Sequence, residues 1–352
     1  MKYGITKWIV AGMSAFLVAC PQGTATEQDA ADNVIARDAK GTVINQDGKE
    51  VDYNFKSGKD CFNLTFEDNF DYKSLDEMKA KQFDDGPLYI PEVKGVWYFQ
   101  TDWNIHPSGV VFDGDGTVKL KVKKLAKNEK PEDVGAEWAP IAETLCGGFT
   151  FNREVLYGVI EARIKMYKKQ YYSYWPGFYT YANPLDKEGK SIAGYEFDIF
   201  EPLDNKEIDQ TTHWPTHANR LVSYRHGLPL EFEKWITATV AWTPEKVAYY
   251  IDDKLSYVFY NDNRNKFLPE TTVNKIRSAG EGKPSNLISK ESKYQVVANV
   301  PQRIIMVIAA SNAGLGWTGS GIPDVRTAPD GWEQVVYEYD WFRYYEYVGT
   351  EK

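Results

Sequence analysis

From about Asp60 to Val348 the chain is written in short segments of Tyr, Val, Ile, Phe and Trp, broken by Gly, Asn, Asp and Pro at spacings of roughly ten residues. That texture predicts an all-β sandwich or barrel. In Gly158-Val159-Ile160-Glu161-Ala162-Arg163-Ile164-Lys165-Met166 the even positions are apolar and most odd ones polar, a period of two that turns one strand face inward. Ile236–Trp242 and Lys246–Ile251 flank Thr243-Pro244-Glu245, and Leu255–Tyr260 follows Asp252-Asp253-Lys254. These three segments predict an antiparallel meander joined by tight turns. Near the end, Tyr337, Tyr339, Trp341, Tyr345 and Tyr347 recur at alternate positions, which predicts a long strand with one aromatic face. Helical periodicity is scarce, and Tyr72–Lys81 is its best stretch. No internal linker interrupts the pattern, so a single folded unit is expected over residues 58–352.

The first residues follow a different rule. Lys2 and Lys7 form a charged beginning, and Trp8–Ala19 is mostly apolar but too short to span a bilayer as a mature helix. An export signal is expected over residues 1–19. Its end, Leu17-Val18-Ala19-Cys20, is similar to the lipobox of bacterial lipoproteins, whose signal is cut before a cysteine that is then acylated. The expected mature chain begins at lipidated Cys20 and is held on the bacterial outer membrane, facing the periplasm or the outside, through that anchor alone. An ordinary signal peptide with a chance cysteine is the alternative. Residues 20–57 are small, polar and almost free of aromatics until Tyr53, the composition of a flexible tether.

Composition narrows the function. Eleven Trp, 24 Tyr and 17 Phe make 15% of the chain aromatic. Flat amphipathic rings suit wet surfaces with an apolar face, and sugar binding is one such use. With 41 basic residues against 50 acidic ones, a formal charge of −9 and no basic run, a nucleic-acid partner is not expected. If Cys20 is lipidated, Cys61 and Cys146 remain, and an exported protein holds such a pair either as a disulfide or as two buried thiols. The four histidines, His106, His213, His217 and His226, and the lack of Cys-x-x-Cys give no recognisable transition-metal site.

The segment Gly194-Tyr195-Glu196-Phe197-Asp198-Ile199-Phe200-Glu201-Pro202 sets three carboxylates among residues that favour strand. Fifty acids in 352 residues produce about one such triple by chance, so the context decides. Charged groups in an apolar strand cost desolvation energy unless they face water or a site. On a regular strand Glu196, Asp198 and Phe200 share a face and Glu201 points away. A one-residue bulge across Ile199 and Phe200 moves Glu201 onto the face of the other two acids. The two glutamates then sit about 13 Å apart at Cα. Their carboxyl groups lean to approximately 5–7 Å, near the spacing that suits a retaining glycosidase, whereas inversion wants a wider pair.

Glu196-x-Asp198-x-x-Glu201 resembles the signature of glycoside hydrolase family 16 in its bulged form, shared by laminarinases, agarases and κ-carrageenases. Further landmarks stand in the family's order. Phe66-Glu67-Asp68-Asn69-Phe70-Asp71 is similar to its opening strand, Tyr157–Lys165 to its "YGyfEaRik" strand and Ser173–Tyr179 to its "WPAFW" segment. Thr212-His213-Trp214, Trp242–Lys246 and Tyr339–Tyr345 resemble the later strands.

The resemblance implies a concanavalin A-like jelly roll with a concave cleft and retaining hydrolysis of internal β-1,3 or β-1,4 bonds. The polymer would be a β-glucan or a galactan. It assigns Glu196 as nucleophile, Glu201 as general acid/base and Asp198 as the carboxylate between them. It places Trp175 under a sugar ring, His213 beside the middle acid and Trp317 in a Gly-rich loop as a second stacking ring. Tyr179 stands where a second tryptophan is usual, and Trp214 extends the substrate-binding set. No cofactor is required, although Glu67 and Asp340 fall where many members hold a structural calcium. A monomer is expected. Trp214–Arg220 departs from the Gly-rich continuation common in laminarinases, so His217 and Arg220 either line the cleft or lie on the surface. The insertion Asn261–Ser292 is long for a connection and forms either a cleft edge or a solvated loop. The competing expectation is a non-catalytic glycan-binding lipoprotein on the same fold, which loss of either glutamate would signal; both are present.

Overall fold

The computed structural model describes residues 34–37, 43–45, 60–83, 86–90, 107–129, 144–168, 172, 174–182, 194–202, 207–215, 221–229, 231–260, 276–278, 297–309 and 325–350. Among them the elements run β1 (Val34–Arg37), β2 (Val43–Asn45), β3 (Asp60–Asp68), α1 (Leu75–Ala80), β4 (Gln82–Phe83), β5 (Gly86–Pro87), β6 (Tyr89–Ile90) and β7 (Val110–Phe112). Next come β8 (Val118–Lys124), β9 (Thr144–Cys146), β10 (Gly148–Val155), β11 (Gly158–Met166), β12 (Trp175–Ala182), β13 (Tyr195–Glu201), β14 (Glu207–Pro215) and β15 (Leu221–Pro229). The series ends with β16 (Trp235–Trp242), β17 (Lys246–Ile251), β18 (Lys254–Tyr260), β19 (Ile276–Ser278), β20 (Gln302–Ala309) and β21 (Glu333–Thr350).

Two antiparallel sheets stack as the expected sandwich. One orders eight strands as β19-β15-β14-β13-β12-β20-β10-β6, and the other runs β18-β17-β16-β11-β21-β8-β7, with β3 also on β21 and β9 also on β8. The period of two over Gly158–Met166 is realised as β11, whose Ile160, Ala162, Ile164 and Met166 enter the core. The meander forms β16, β17 and β18. Its second turn puts Asp252 and Asp253 at φ +48° and +64°, the left-handed pair that matches the twist of a two-residue hairpin. Asp252 also accepts from the Thr237 amide, which ties the turn back to β16.

Most of the aromatic content goes into the layer between the sheets. Phe66, Phe149, Phe151, Phe178, Phe197, Phe200, Tyr339 and Phe342 share one core cluster. Their rings meet edge to face, as in Phe151 on Phe342 at 5.3 Å and Tyr89 on Phe149 at 5.1 Å, the arrangement the ring quadrupole favours.

Three expectations about elements change. The last strand does not carry one aromatic face from end to end. Against β11, Trp341 pairs with Arg163 and Tyr339 with Ile164, so Asp340 is an extra residue that exchanges the faces. Tyr337 and Tyr339 are buried on the core side before it, while Phe342 takes that side after it and Trp341 and Tyr345 turn outward. The helix is shorter than the Tyr72–Lys81 stretch, because Asp68 accepts from the Phe70 amide and the Tyr72 hydroxyl and holds that segment as a turn. Ser74 then caps α1 by accepting from the Glu77 amide. Within the expected tether, β1 and β2 pair with each other and join neither large sheet. The β-branched pairs Val34-Ile35 and Val43-Ile44 around Asp38-Ala39-Lys40-Gly41 are hairpin composition that scarcity of aromatics concealed. Residues 1–33, with Cys20, lie outside the described residues.

Candidate active site

The three acids sit on β13, in the middle of the eight-stranded sheet. Against β14, Glu196 pairs with His213, Asp198 with Thr211 and Glu201 with Asp209, so three steps on β13 meet two on β14. Against β12, Phe200 pairs with Phe178 and Asp198 with Tyr179, two steps against one. The first ladder puts one extra residue between Asp198 and Glu201, and the second narrows it to Ile199, where the acid spacing requires one. The local sequence explains it, since the bulge lets the adjacent Ile199 and Phe200 both enter the core. Burying each is worth about 1.5–3 kcal/mol, which offsets the interrupted ladder. As a result Glu196, Asp198 and Glu201 all leave the sheet on the side away from the core.

All three are largely buried, at 6%, 1% and 7% exposure. His213 Nε2 lies 3.0 Å from Asp198 Oδ2. One donor atom each from Glu196, Asp198 and His213 lie within 4.8 Å of one another. On the other side, Trp175 Nε1 donates to Glu201 Oε1 at 2.5 Å. Burial, followed by the negative charges of Asp198 and Glu201, pushes the Glu196 carboxyl well above the usual carboxylate range. Glu196 therefore binds a proton more tightly than an isolated carboxylate would.

Neighbouring strands extend this face in rows. β12 places Tyr181 beside Glu196 and Tyr179 beside Asp198, and β20 continues the rows with Arg303 and Ile305. Burial and then the Glu196 charge push the Tyr181 hydroxyl up to about 12. Tyr179 packs on Ile305 and Val307. At 6% exposure it forms a floor next to Asp198 and offers no open ring for a sugar.

Trp214 requires a correction. On β14, Asp209, Thr211 and His213 point to the acids, so Ile208, Gln210, Thr212 and Trp214 point the other way. Trp214 is 1% exposed within the core cluster, and an indole with both faces covered cannot stack on substrate. Tyr181, Asp209 and Thr211 were missed as members of the site face. The alternation Asp209-x-Thr211-x-His213 was the available signal, since it phases the strand from the histidine. Trp317, His217 and Arg220 lie outside the described residues, as do all of 261–292 except 276–278. Cys146 is buried on β9, and the Cys61 side chain lies outside the described residues.

The carboxylates expected to ligate calcium are already paired within the protein. Glu67 accepts from both Nε and Nη2 of Arg343 at 3.0 and 2.7 Å, and Asp340 accepts from Arg163 Nη1 at 2.7 Å. Calcium needs six to eight oxygen ligands, whereas each of these carboxylates already carries a guanidinium.

Two carboxylates flanking a third on one face, beside a half-buried indole, match acid/base chemistry on a sugar acetal. Comparison with known proteins agrees. The family model for glycosyl hydrolases family 16 matches residues 98–295, more than half of the chain and including all three acids. No curated protein matched. Among solved structures, the chain is similar to the catalytic domain of an endo-1,3-beta-glucanase (laminarinase) from Thermotoga petrophila. The identity is 18% and the TM-score 0.54, over 82% of this chain and 100% of that one. The laminarinase from Rhodothermus marinus is 17% identical with a TM-score of 0.53, over 82% and 99%. A third structure, from a study of endo-acting O-glycanases with which human gut microbiota initiate mucin breakdown, is 16% identical with a TM-score of 0.50, over 85% and 94%. At these identities the likeness concerns the fold, a jelly roll of the same two-sheet design.

Proposed function

The chain belongs to glycosyl hydrolase family 16, and from that premise we propose that this glycoside hydrolase is a retaining, endo-acting β-glycanase. Glu196 acts as the nucleophile, Glu201 as the general acid/base and Asp198 as the carboxylate between them. The observation that carries this reading is the bulge at Ile199, which brings Glu201 to the face of the other two acids.

In the first step a Glu196 oxygen bonds to the anomeric carbon while the bond to the leaving sugar breaks and Glu201 gives its proton to the departing oxygen. In the second, water attacks the glycosyl-enzyme, Glu201 takes the water proton and Glu196 leaves ionised. The productive resting form therefore carries a proton on Glu201 and none on Glu196. Positive charge developing at the anomeric carbon stabilises the ionised Glu196 at the moment of attack, which counters its raised proton affinity. Asp198, held by His213, maintains the negative field between the two glutamates. Trp175 holds Glu201 through its indole N–H and presents its ring to the sugar.

Laminarin-type β-1,3-glucan is the first substrate to try, given the laminarinases among the similar folds. Galactans and mucin glycans follow, and the third similar structure is the reason. A lipid anchor at Cys20 on the outer membrane suits a polymer too large to enter a cell. The test is NMR of the anomer formed first from a panel of glucans and galactans. A β-anomer appearing before mutarotation is expected, and an α-anomer as first product from a β-bond overturns the mechanism.

A further inference from the structure

On the core side of the eight-stranded sheet, directly behind the acids, Gln210 Nε2 donates to the Ile199 carbonyl at 3.1 Å and to the Tyr250 carbonyl at 3.3 Å. Ile199 is the extra residue of the bulge against β12, and Tyr250 belongs to β17 in the opposite sheet. Both acceptors are carbonyls, so only the amide nitrogen of Gln210, with its two protons, serves them. Beside it the Tyr249 hydroxyl donates to the Thr211 carbonyl at 2.9 Å and takes the Thr212 hydroxyl at 3.0 Å. Thr211 is the residue opposite Asp198. Gln210, Thr212 and Tyr249 are fully buried.

A bulge interrupts the ladder, and the backbone groups it releases need other partners when water is excluded. Here a glutamine and a tyrosine from the core supply donors on both sides of the interruption. We propose that Gln210 and Tyr249 are positioning residues that lock the bulge from behind and so set where Glu201 is held relative to Glu196 and Asp198. This rests on the acid/base role given to Glu201 above.

The clamp acts selectively. Glu196 precedes the bulge and pairs in regular register with His213, whereas Glu201 follows Ile199 by two residues. Loosening the Ile199 carbonyl therefore displaces the proton donor and leaves the nucleophile in place. In the limit, a strand that loses its bulge turns Glu201 toward the core, because side chains alternate at a period of two.

Gln210→Met and Tyr249→Phe test this on two substrates. One is the polysaccharide, whose leaving oxygen needs a proton. The other is a dinitrophenyl β-glycoside of a matching oligosaccharide, whose phenolate departs without one. Azide replaces water in the second step, so the anomeric carbon passes from Glu196 to nitrogen with no base required. On polysaccharide kcat is expected to fall about 100-fold with KM unchanged, the scale of a misplacement near 1 Å. On the aryl glycoside with azide, turnover stays close to that of the wild type.

Equal losses on both substrates, or none on either, overturn the inference. Tyr249→Phe removes a single oxygen and carries the same comparison if Gln210→Met fails to fold. Glu201→Ala is run alongside. If it shows the split between substrates and the two clamp variants do not, this inference alone fails. Should Glu201→Ala lose both substrates equally, the acid/base assignment fails and takes the clamp with it.

Discussion

The indole nitrogen of Trp175 on β12 donates to Glu201 Oε1 on β13 at 2.5 Å, so one ring both faces the site and holds the group assigned to protonate the leaving oxygen. Trp175→Phe keeps an aromatic face and removes the donor. Glu201 becomes charged as it gives up its proton, and a hydrogen bond to a charged group is worth about 1.5–3 kcal/mol, so kcat/KM is expected to fall roughly 10- to 100-fold. Trp175→Ala loses the stacking surface as well and falls further. Steady-state kinetics on laminarin check this, and a phenylalanine variant equal to the wild type would show that the bond contributes nothing.

The two glutamates are distinguishable by the product each variant makes with azide. Glu196→Ala leaves a hole where the nucleophile stood, so azide attacks the substrate once and gives the α-glycosyl azide. Glu201→Ala keeps the nucleophile, and azide releases the glycosyl-enzyme as the β-glycosyl azide. Without azide, Glu201→Ala should lose about 10²–10⁴-fold on polysaccharide, the usual contribution of general acid–base catalysis. Identical azide products from both variants would reject the division of roles.

Stability should carry the imprint of the crowded acids. Glu196 titrates in the folded state well above its usual value, because of burial first and then Asp198 and Glu201. For a raised folded value, the stabilising contribution is complete below the unfolded value and is lost as pH rises through the folded one. Glu196→Gln, which stays neutral, is expected to unfold at a higher temperature than the wild type at pH 8. The gap should close near pH 4. Each kcal/mol corresponds to roughly 3 °C in a chain of this size. Thermal melts across that range decide it, and a variant less stable at pH 8 contradicts the argument.

On the outer face of the nine-stranded sheet the buried Arg343 guanidinium holds Glu67, where the family resemblance suggested calcium. Arg343→Met leaves Glu67 without its cation, and because that carboxylate is only partly buried the lost charged hydrogen bonds cost about 1.5–3 kcal/mol. A drop in melting temperature of about 5–9 °C follows. Wild-type melts should be the same with calcium and with chelator. A calcium-dependent rise would show that a cation displaces the arginine.

Much of the sandwich is legible in the chain because strand alternation is a local property. Gly158–Met166 declares its faces through its own residues, and the Ile236–Tyr260 meander through its turns. The acid site is legible for a related reason. Glu196, Asp198 and Glu201 share a face only if one residue between them is extra, and the apolar pair Ile199-Phe200 shows where it goes.

Periodicity failed where a face depends on a partner strand. Trp214 looked available beside His213, yet pairing with β13 turns the histidine to the acids and the tryptophan to the core. The aromatic run after Tyr337 has a period of two, but the extra residue at Asp340 is visible only in its register with β11.

The sequence by itself determined the strand class, the stretches that form several of the strands and the three acids with the bulge they require. Only the tertiary structure decided what stands behind that bulge, which aromatic rings remain open to a sugar, and whether a carboxylate meets a metal ion or a guanidinium. Arg343 and Glu67 are 276 positions apart. Their meeting depends on how β3 registers on β21, and pairing at that distance leaves no periodic trace in either segment.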